Sequence, residues 1–268
     1  MLNLSTTSFA IQNSDVHLSG TFTPGNRLTD ASLYADSASQ PVMKVVDRHA
    51  ERAQAFQLAH EVYCRAGLTD ENRVGKRVMR HHLLDTTDVF IAKLNGKVNF
   101  TVTLVGDGDF GLPMESLFAD EVENMRSQGI RMAEVSCLAS SIDPDKKRLR
   151  FDTLVSMISL LIQTARRRGI DRLMLAVHPK HAKVYERLFG CVRCSDVKDY
   201  AAVRGNPAVL CIHDFADLDE KRYPLYDQVY GPEYAPWQLD GIPMSESEKI
   251  YFEQFLPAGE YEVVPMAA

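Results

Sequence analysis

Glu134 is the residue whose type and position most directly suggest chemistry. It lies in the apolar stretch AEVSCLA, residues 133–139, which is typical of a buried strand. A carboxylate in such a strand is costly unless it is paired or functional. Desolvation would raise its pKa, and a carboxylate with a raised pKa can act as a general base that takes a proton from an amine. The alternative is a partly exposed strand face on which Glu134 pairs with an arginine.

Four side chains further along are candidates for a part in such a reaction. Tyr185 is predicted on the helix after the next buried strand, where its hydroxyl could protonate a leaving thiolate. The alternative is an aromatic ring packed on a helix face. His178 and His181 flank the start of that helix, where a His-Pro pair is more typical of a helix cap than of a base. Cys137 has no histidine at a spacing typical of a cysteine nucleophile, which favours a structural role.

The overall charge argues against nucleic-acid binding. The formal net charge is −6, whereas nucleic-acid-binding domains are usually basic. The basic residues are nonetheless clustered, and these clusters are either solvated helix ends or a docking surface for an acidic partner. They comprise Lys146, Lys147, Arg148 and Arg150 in one group and Arg166, Arg167 and Arg168 in the other.

The remaining composition describes an ordinary globular chain. No apolar run approaches the roughly 18 residues of a membrane span, and the first residues do not read as a signal peptide, so we expect a cytoplasmic protein. An odd cysteine count fits reduced thiols, and the single CxxC at 191–194 lacks a second ligand pair, so no metal is expected. There is no GxxxxGK and no GxGxxG phosphate loop, and no tightly bound cofactor is expected.

The predicted elements place Glu134 at the centre of a sheet. The pair Asn95-Gly96 between two apolar runs predicts a type I′ hairpin. Further strands are predicted at 42–46, 131–139, 173–177, 191–203 and 207–214. Helices are predicted at about 48–66, 114–127, 151–168, 179–189 and 244–256, with Asp47 as the cap of the first.

This order predicts a mixed α/β fold with one mostly antiparallel sheet and helices on both faces. The strands at 131–139 and 173–177 form a parallel βαβ pair, which invites a crevice at the strand ends. We expect a flexible leader at 1–41, a catalytic domain at 42–215 and a C-terminal extension at 216–268. A Tyr-, Trp- and Pro-rich extension more often packs on a surface than enters a site.

Four segments resemble the N-acyl amino acid synthases, a family related to acyl-homoserine lactone synthases and to GNAT acetyltransferases. They are FQLAHEVYCRAG at 56–67, GLPMESLF at 111–118, AEVSCLA at 133–139, and the run from VHPKH at 177–181 through YERLFG at 185–190 to GNPA at 205–208. The resemblance implies a GNAT-like fold whose central parallel strands splay apart. It also implies an acyl carrier protein as the donor of a long acyl chain and an amino acid as the acceptor.

The resemblance also assigns residues. In the lactone synthases the strand equivalent to 133–139 reads roughly E-x-S-R, and Glu134 and Ser136 match it while Cys137 replaces the arginine. That replacement argues against a lactone synthase. GNAT enzymes that use coenzyme A usually carry a glycine-rich loop after this strand, and residues 140–151 contain no glycine. A carrier-borne pantetheine arm fits this absence, with the basic clusters docking the acidic carrier.

We therefore expect direct transfer, with Glu134, Ser136 and Tyr185 as the catalytic residues. Glu134 removes the amine proton, and backbone N–H groups at 136–138 stabilise the oxyanion. The expected substrate-binding residues are Cys137, Leu138, Phe100, Val102 and His178, with Leu154 as a further part of the acyl tunnel. The alternatives are a coenzyme A-dependent N-acetyltransferase, a lactone-type signal synthase and a non-catalytic acyl-binding protein.

Overall fold

The computed structural model describes residues 41–257, so nearly all of the expected leader and the last residues of the extension lie outside the described part. The strands are β1 (Val42–Val45), β2 (Thr87–Leu94), β3 (Lys97–Gly106), β4 (Met132–Ser140), β5 (Arg172–Val177), β6 (Val192–Arg193), β7 (Lys198–Tyr200) and β8 (Asn206–Asp214). The helices are α1 (His49–Arg65), α2 (Glu115–Ser127), α3 (Lys147–Arg167), α4 (Pro179–Phe189), α5 (Phe215–Lys221), α6 (Tyr226–Tyr230), α7 (Pro236–Leu239) and α8 (Glu246–Glu253).

One mixed sheet organises these elements, as predicted. Its strand order is β1-β2-β3-β4-β5-β8-β6, with β7 also pairing with β8. The pair β4 and β5 is parallel and the other pairs are antiparallel. Asn95 and Gly96 both have positive φ, at 53° and 78°, which is the type I′ geometry that an Asn-Gly hairpin favours.

Helices cover both faces because the central strands are apolar on both sides. On one face α3 packs over residues such as Phe90, Phe100 and Val102. On the other face α1 and α8 pack over Ile91 and its neighbours, and α2 packs over Met132, Met174 and Leu210. Glu134 alternates with Ala133 along β4, so its side chain lies on the face that α1 and α2 cover.

The parallel pair is joined over only a short length. Its register runs from Met132 opposite Arg172 to Glu134 opposite Met174. Beyond that point β4 continues to Ser140 and β5 continues to Val177 without pairing to each other. The two strands therefore diverge at Glu134, and a gap opens in the middle of the sheet.

Three local predictions were wrong. Asp47 does not cap α1: the cap is Arg48, without a side-chain bond, while Asp47 is bonded by Lys44. The strand expected at 191–203 is broken into β6 and β7, because Cys194 to Val197 leave the strand conformation, although Cys194 N–H still donates to the Leu210 carbonyl of β8 at 2.8 Å. The extension holds short helices α5, α6 and α7 before α8, where one helix was expected.

Among residues 41–257, no helix combines the length and the hydropathy that crossing a bilayer requires.

Candidate active site

Glu134 is buried at the point where β4 and β5 part. Only 3% of its surface is exposed, yet no cation pairs with it among the described residues. The backbone N–H of Met114, just before α2, donates to Glu134 Oε2 at 2.7 Å. The Ser136 hydroxyl also hydrogen-bonds to the carboxyl group. The partly exposed, arginine-paired strand face that was the alternative is therefore not what the fold contains.

This environment changes the acidity of Glu134. Burial raises its pKa to about 8, and the Glu115 carboxylate adds to the increase. The bonds from Met114 and Ser136 work against the increase because they favour the ionised form. A carboxyl group with a pKa near 8 is well matched to accept a proton from an amine at neutral to mildly basic pH.

A β-bulge lies next to Glu134. Ser136 pairs with Thr103 and Ala139 pairs with Thr101, so β4 has one residue more than β3 between these pairs. Cys137 within the bulge has φ of 50°, a left-handed conformation that is uncommon for a residue other than glycine. Bulges interrupt the ladder and re-aim nearby groups, and they are frequent beside active sites. Here the bulge lies in the segment 136–138 for which oxyanion-stabilising N–H groups were expected.

The gap between the strands opens into a cavity of about 1020 Å³. This volume lies at the upper end of ligand pockets in proteins. Glu134 and the bulge form its floor, and the ends of β5 and α4 form one wall. The opposite wall is the segment 60–81, which runs from α1 toward β2.

Most of the predicted site residues meet in this cavity. It is lined by Glu134, Ser136, Cys137, Leu138, His178 and Tyr185. His178 also caps α4, because its Nδ1 accepts the Lys180 N–H at 3.1 Å, as the His-Pro pair indicated. Burial raises the pKa of Tyr185, with the Cys191 and Cys211 thiols adding to the increase, so its phenol stays protonated.

Three predicted lining residues lie elsewhere. Phe100 and Val102 have no exposed surface and Leu154 is 4% exposed, and all three pack in the core between the sheet and α3. None of them is among the residues that line the cavity. These apolar side chains were predicted to line an acyl tunnel, but they lie on the face of the sheet opposite to Glu134.

Several cavity residues were not predicted. Arg77, Tyr63 and Tyr200 line it, and Tyr200 donates from its hydroxyl to the Pro113 carbonyl at 3.3 Å. The C-terminal extension reaches the cavity as well, through residues 254–257. These residues lie in loops, at element ends and far apart in the chain, so no periodic pattern marks them.

The basic cluster at the end of α3 is occupied within the chain. Arg166 pairs with Asp219 and lies over the rings of Phe215 and Tyr230. The other two ion pairs are Arg167 with Asp240 at 3.2 Å and Arg168 with Asp88 at 2.6 Å. These partners come from three different elements, so the cluster holds α3 to the rest of the fold.

The other basic cluster lies at the start of α3 and is more open. Lys146, Lys147 and Arg148 are exposed, and Arg150 is half-buried. Arg148 pairs only weakly with Asp152, at 3.5 Å with 95% of the arginine side chain exposed. Lys146 ends the connection from β4 to α3, and Lys147, Arg148 and Arg150 lie in the first turn of α3.

The comparisons with known proteins agree with this arrangement. A family model described as N-acyl amino acid synthase FeeM matches residues 54–214, which is more than half of the chain and includes the bulge and Glu134. A search of curated proteins finds no match.

Solved structures show the same fold. The structure of FeeM, an N-acyl amino acid synthase from uncultured soil microbes, is 22% identical, with a TM-score of 0.60 over 70% of this chain and 97% of that chain. The coenzyme A-dependent acyl-homoserine lactone synthase BjaI is 12% identical, with a TM-score of 0.51 over 80% of this chain and 99% of that chain. The resemblance that the sequence segments indicated is thereby confirmed.

Proposed function

The chain belongs to the FeeM family of N-acyl amino acid synthases, and from that premise we propose that it moves a long acyl chain from an acyl carrier protein thioester to the amine of an amino acid. Family membership makes it an N-acyltransferase. The observation that carries the proposal is Glu134, a buried carboxyl group that lines a large cavity where two strands part and that has no cationic partner within residues 41–257.

The gap between β4 and β5 suits a pantetheine arm. Beyond Glu134 and Met174 the facing edges of the two strands are not paired with each other. Unpaired edges accept an extended chain with amide groups, as in strand addition. A pantetheine arm lying there brings its thioester to the bulge at 136–138, where backbone N–H groups would stabilise the developing oxyanion.

Starting from the neutral amine, which has already lost its ammonium proton to solvent, the transfer needs two proton movements. The amine nitrogen attacks the thioester carbonyl carbon, Glu134 takes the amine proton, and the carbon–sulfur bond breaks. The thiolate leaves with the carrier and takes a proton, for which the protonated phenol of Tyr185 is placed in the same cavity. The products are an N-acyl amino acid and the carrier thiol.

A carrier protein is the donor that the surface supports. The connection from β4 to α3 carries the exposed Lys146, Lys147 and Arg148 and lacks the glycines that would cradle a pyrophosphate. A basic surface of this kind attracts an acidic protein. A carrier-borne arm has a single phosphate, attached to the carrier, so it does not need a pyrophosphate loop.

The test is turnover by the purified full chain. We expect N-acyl amino acids, identified by mass spectrometry, with acyl carrier protein thioesters and a mixture of amino acids, and a much lower rate with the same acyl group on coenzyme A. Glu134→Gln should lower kcat by about a hundredfold to ten-thousandfold, because the proton acceptor is lost.

Glu123→Gln is the matched control, since Glu123 is exposed and does not line the cavity. Equal rates with coenzyme A thioesters would refute the carrier assignment. Full activity of Glu134→Gln would refute the assignment of the base.

A further inference from the structure

Arg77 places a guanidinium group in the cavity, and no carboxylate of residues 41–257 forms an ion pair with it. It follows the polar segment 69–72 and lines the wall opposite β5. Its Nε is shielded from solvent and has no hydrogen-bond acceptor among the described residues. The guanidinium lies over the Tyr63 ring, with its central carbon 4.6 Å from the ring centre.

The unmatched charge is unusual for this protein. Arg52 is also buried, but it donates to Glu248 Oε1 at 2.7 Å and to the Ile242 carbonyl. Lys44 is buried as well and pairs with Glu51 at 2.8 Å, whereas none of the ion pairs among residues 41–257 includes Arg77. Arg77 is half-buried, and a guanidinium Nε that is shielded from water without an acceptor is costly, so this cavity wall is suited to an anionic ligand.

The guanidinium lines the same cavity as Glu134. It interacts with the Cys137 thiol in the bulge and with the Tyr200 phenol. Tyr200 in turn interacts with both Arg77 and Glu134. A ligand that contacts both Arg77 and Glu134 through complementary groups carries an anionic group and an amine.

We propose that Arg77 binds the carboxylate of the acceptor amino acid and thereby restricts the enzyme to acceptors that carry one. An α-amino acid has its amine and carboxylate on the same carbon. A carboxylate held in the planar fork of an arginine therefore fixes the amine toward Glu134. That this carboxylate belongs to an acceptor amino acid rests on the proposed function. Binding of a carboxylate to Arg77 can be measured without turnover.

Calorimetry with product-like probes measures that binding. N-dodecanoylglycine should bind the parent protein at least about tenfold more tightly than its carboxamide, because a charged hydrogen bond is lost with the amide. Arg77→Met should bind both probes equally. Arg73→Met is the matched control, because Arg73 is exposed in the same segment and does not line the cavity. Equal binding of the two probes by the parent would overturn the proposal.

Turnover separates this proposal from the proposed function. With an amino acid and its decarboxylated amine as acceptors, Arg77→Met should lower kcat/KM about a hundredfold for the amino acid and less than about threefold for the amine. Equal losses for both acceptors would assign Arg77 a structural role and overturn the proposal. If the parent acylates neither acceptor but still prefers the carboxylate probe through Arg77, the proposed function fails while the carboxylate site stands.

Arg77→Lys keeps the assay interpretable if the methionine variant does not fold. A lysine keeps the charge but loses the bidentate geometry. We expect it to keep part of the preference for the carboxylate probe, with a melting temperature near that of the parent. The proposal would be contradicted by a lysine variant that folds and binds both the acid and its carboxamide as tightly as the parent binds the acid.

Discussion

At the scale of single residues, the site depends on keeping one carboxyl group away from water and cations. Glu134 has hydrogen bonds from the Met114 N–H and the Ser136 hydroxyl, and no ion pair among the described residues. The protein therefore tolerates an acid that is protonated in much of the neutral range. That cost is reasonable only where the raised proton affinity is used.

The cost should appear in the pH dependence of stability. The pKa of Glu134 is raised from 4.5 to about 8 in the fold, so the folded protein holds this proton more tightly than the unfolded chain. Its contribution to stability is complete below pH 4.5 and is lost as the pH rises through about 8. The difference in free energy of unfolding, Glu134→Gln minus parent, should therefore increase by a few kcal/mol from pH 5 to pH 9, because only the parent loses this contribution.

Urea denaturation at the two pH values measures this difference. Glu123→Gln serves as the control, because its carboxylate is exposed and should show no such trend. A constant difference between Glu134→Gln and the parent across this range would mean that the folded carboxyl group is already ionised at pH 5.

The position of Glu134 in a buried strand could be predicted because a local sequence pattern marks it. A single acid in an apolar strand is visible in the sequence, and so is the His-Pro start of α4. Arg77 and Tyr200 could not be found in this way, because a polar loop and the end of a short strand give no periodic signal. Phe100 and Val102 were misplaced because an apolar strand residue can face either a tunnel or the core.

At the scale of elements, the splayed strand pair and the two ends of α3 do different work. The short register between β4 and β5 opens the gap, and the bulge turns the strand edge toward it. The order of strands and helices was predicted from apolar periodicity and the Asn-Gly turn. The length of the paired segment was not, because it depends on tertiary contacts rather than on residue type.

The start of α3 is the element that we expect to contact the carrier. The double charge reversal Lys146→Glu and Arg148→Glu should raise KM for an acyl carrier protein thioester about tenfold, because opposite charges steer and hold the partner. The rate with the same acyl group on free pantetheine should not change. Steady-state kinetics at low and moderate salt measure both values.

Lys221→Glu with Arg222→Glu is the matched control, since both residues are exposed and neither lines the cavity. If the control raises KM as much as the first pair does, general charge rather than docking at α3 explains the effect. The cluster at the end of α3 is unsuited to such a test because its arginines hold the fold together.

At the scale of the whole molecule, the cavity is assembled from distant parts of the chain. The extension anchors through α8, whose Phe252 is fully buried against the Phe56 ring, at 5.1 Å between ring centres. Phe255 and Leu256 follow and line the cavity, and Lys76 Nζ lies 5.1 Å from the Phe255 ring centre. The composition of this extension is more typical of a segment that packs on a surface, and the sequence left open whether it caps the site.

Phe255→Ala should therefore alter catalysis although it lies outside the segment matched by the family. A smaller side chain enlarges the cavity beside Lys76. The ratio of kcat/KM for a large acceptor to kcat/KM for a small acceptor should therefore rise about tenfold. Parallel assays with a small and a large acceptor measure it. Ile250→Ala, on the exposed side of α8, should leave the ratio unchanged. An unchanged ratio in both variants would exclude the extension from acceptor selection.

The anchored extension also sets an order of events during synthesis. A ribosome makes the walls at 60–81 and 134–138 long before it makes Phe255 and Leu256. Domains fold as they emerge, so the sheet can form while the last wall is still being translated. A nascent chain therefore presents an open cleft, and the part of the cavity wall formed by residues 254–257 is added only once those residues have been translated.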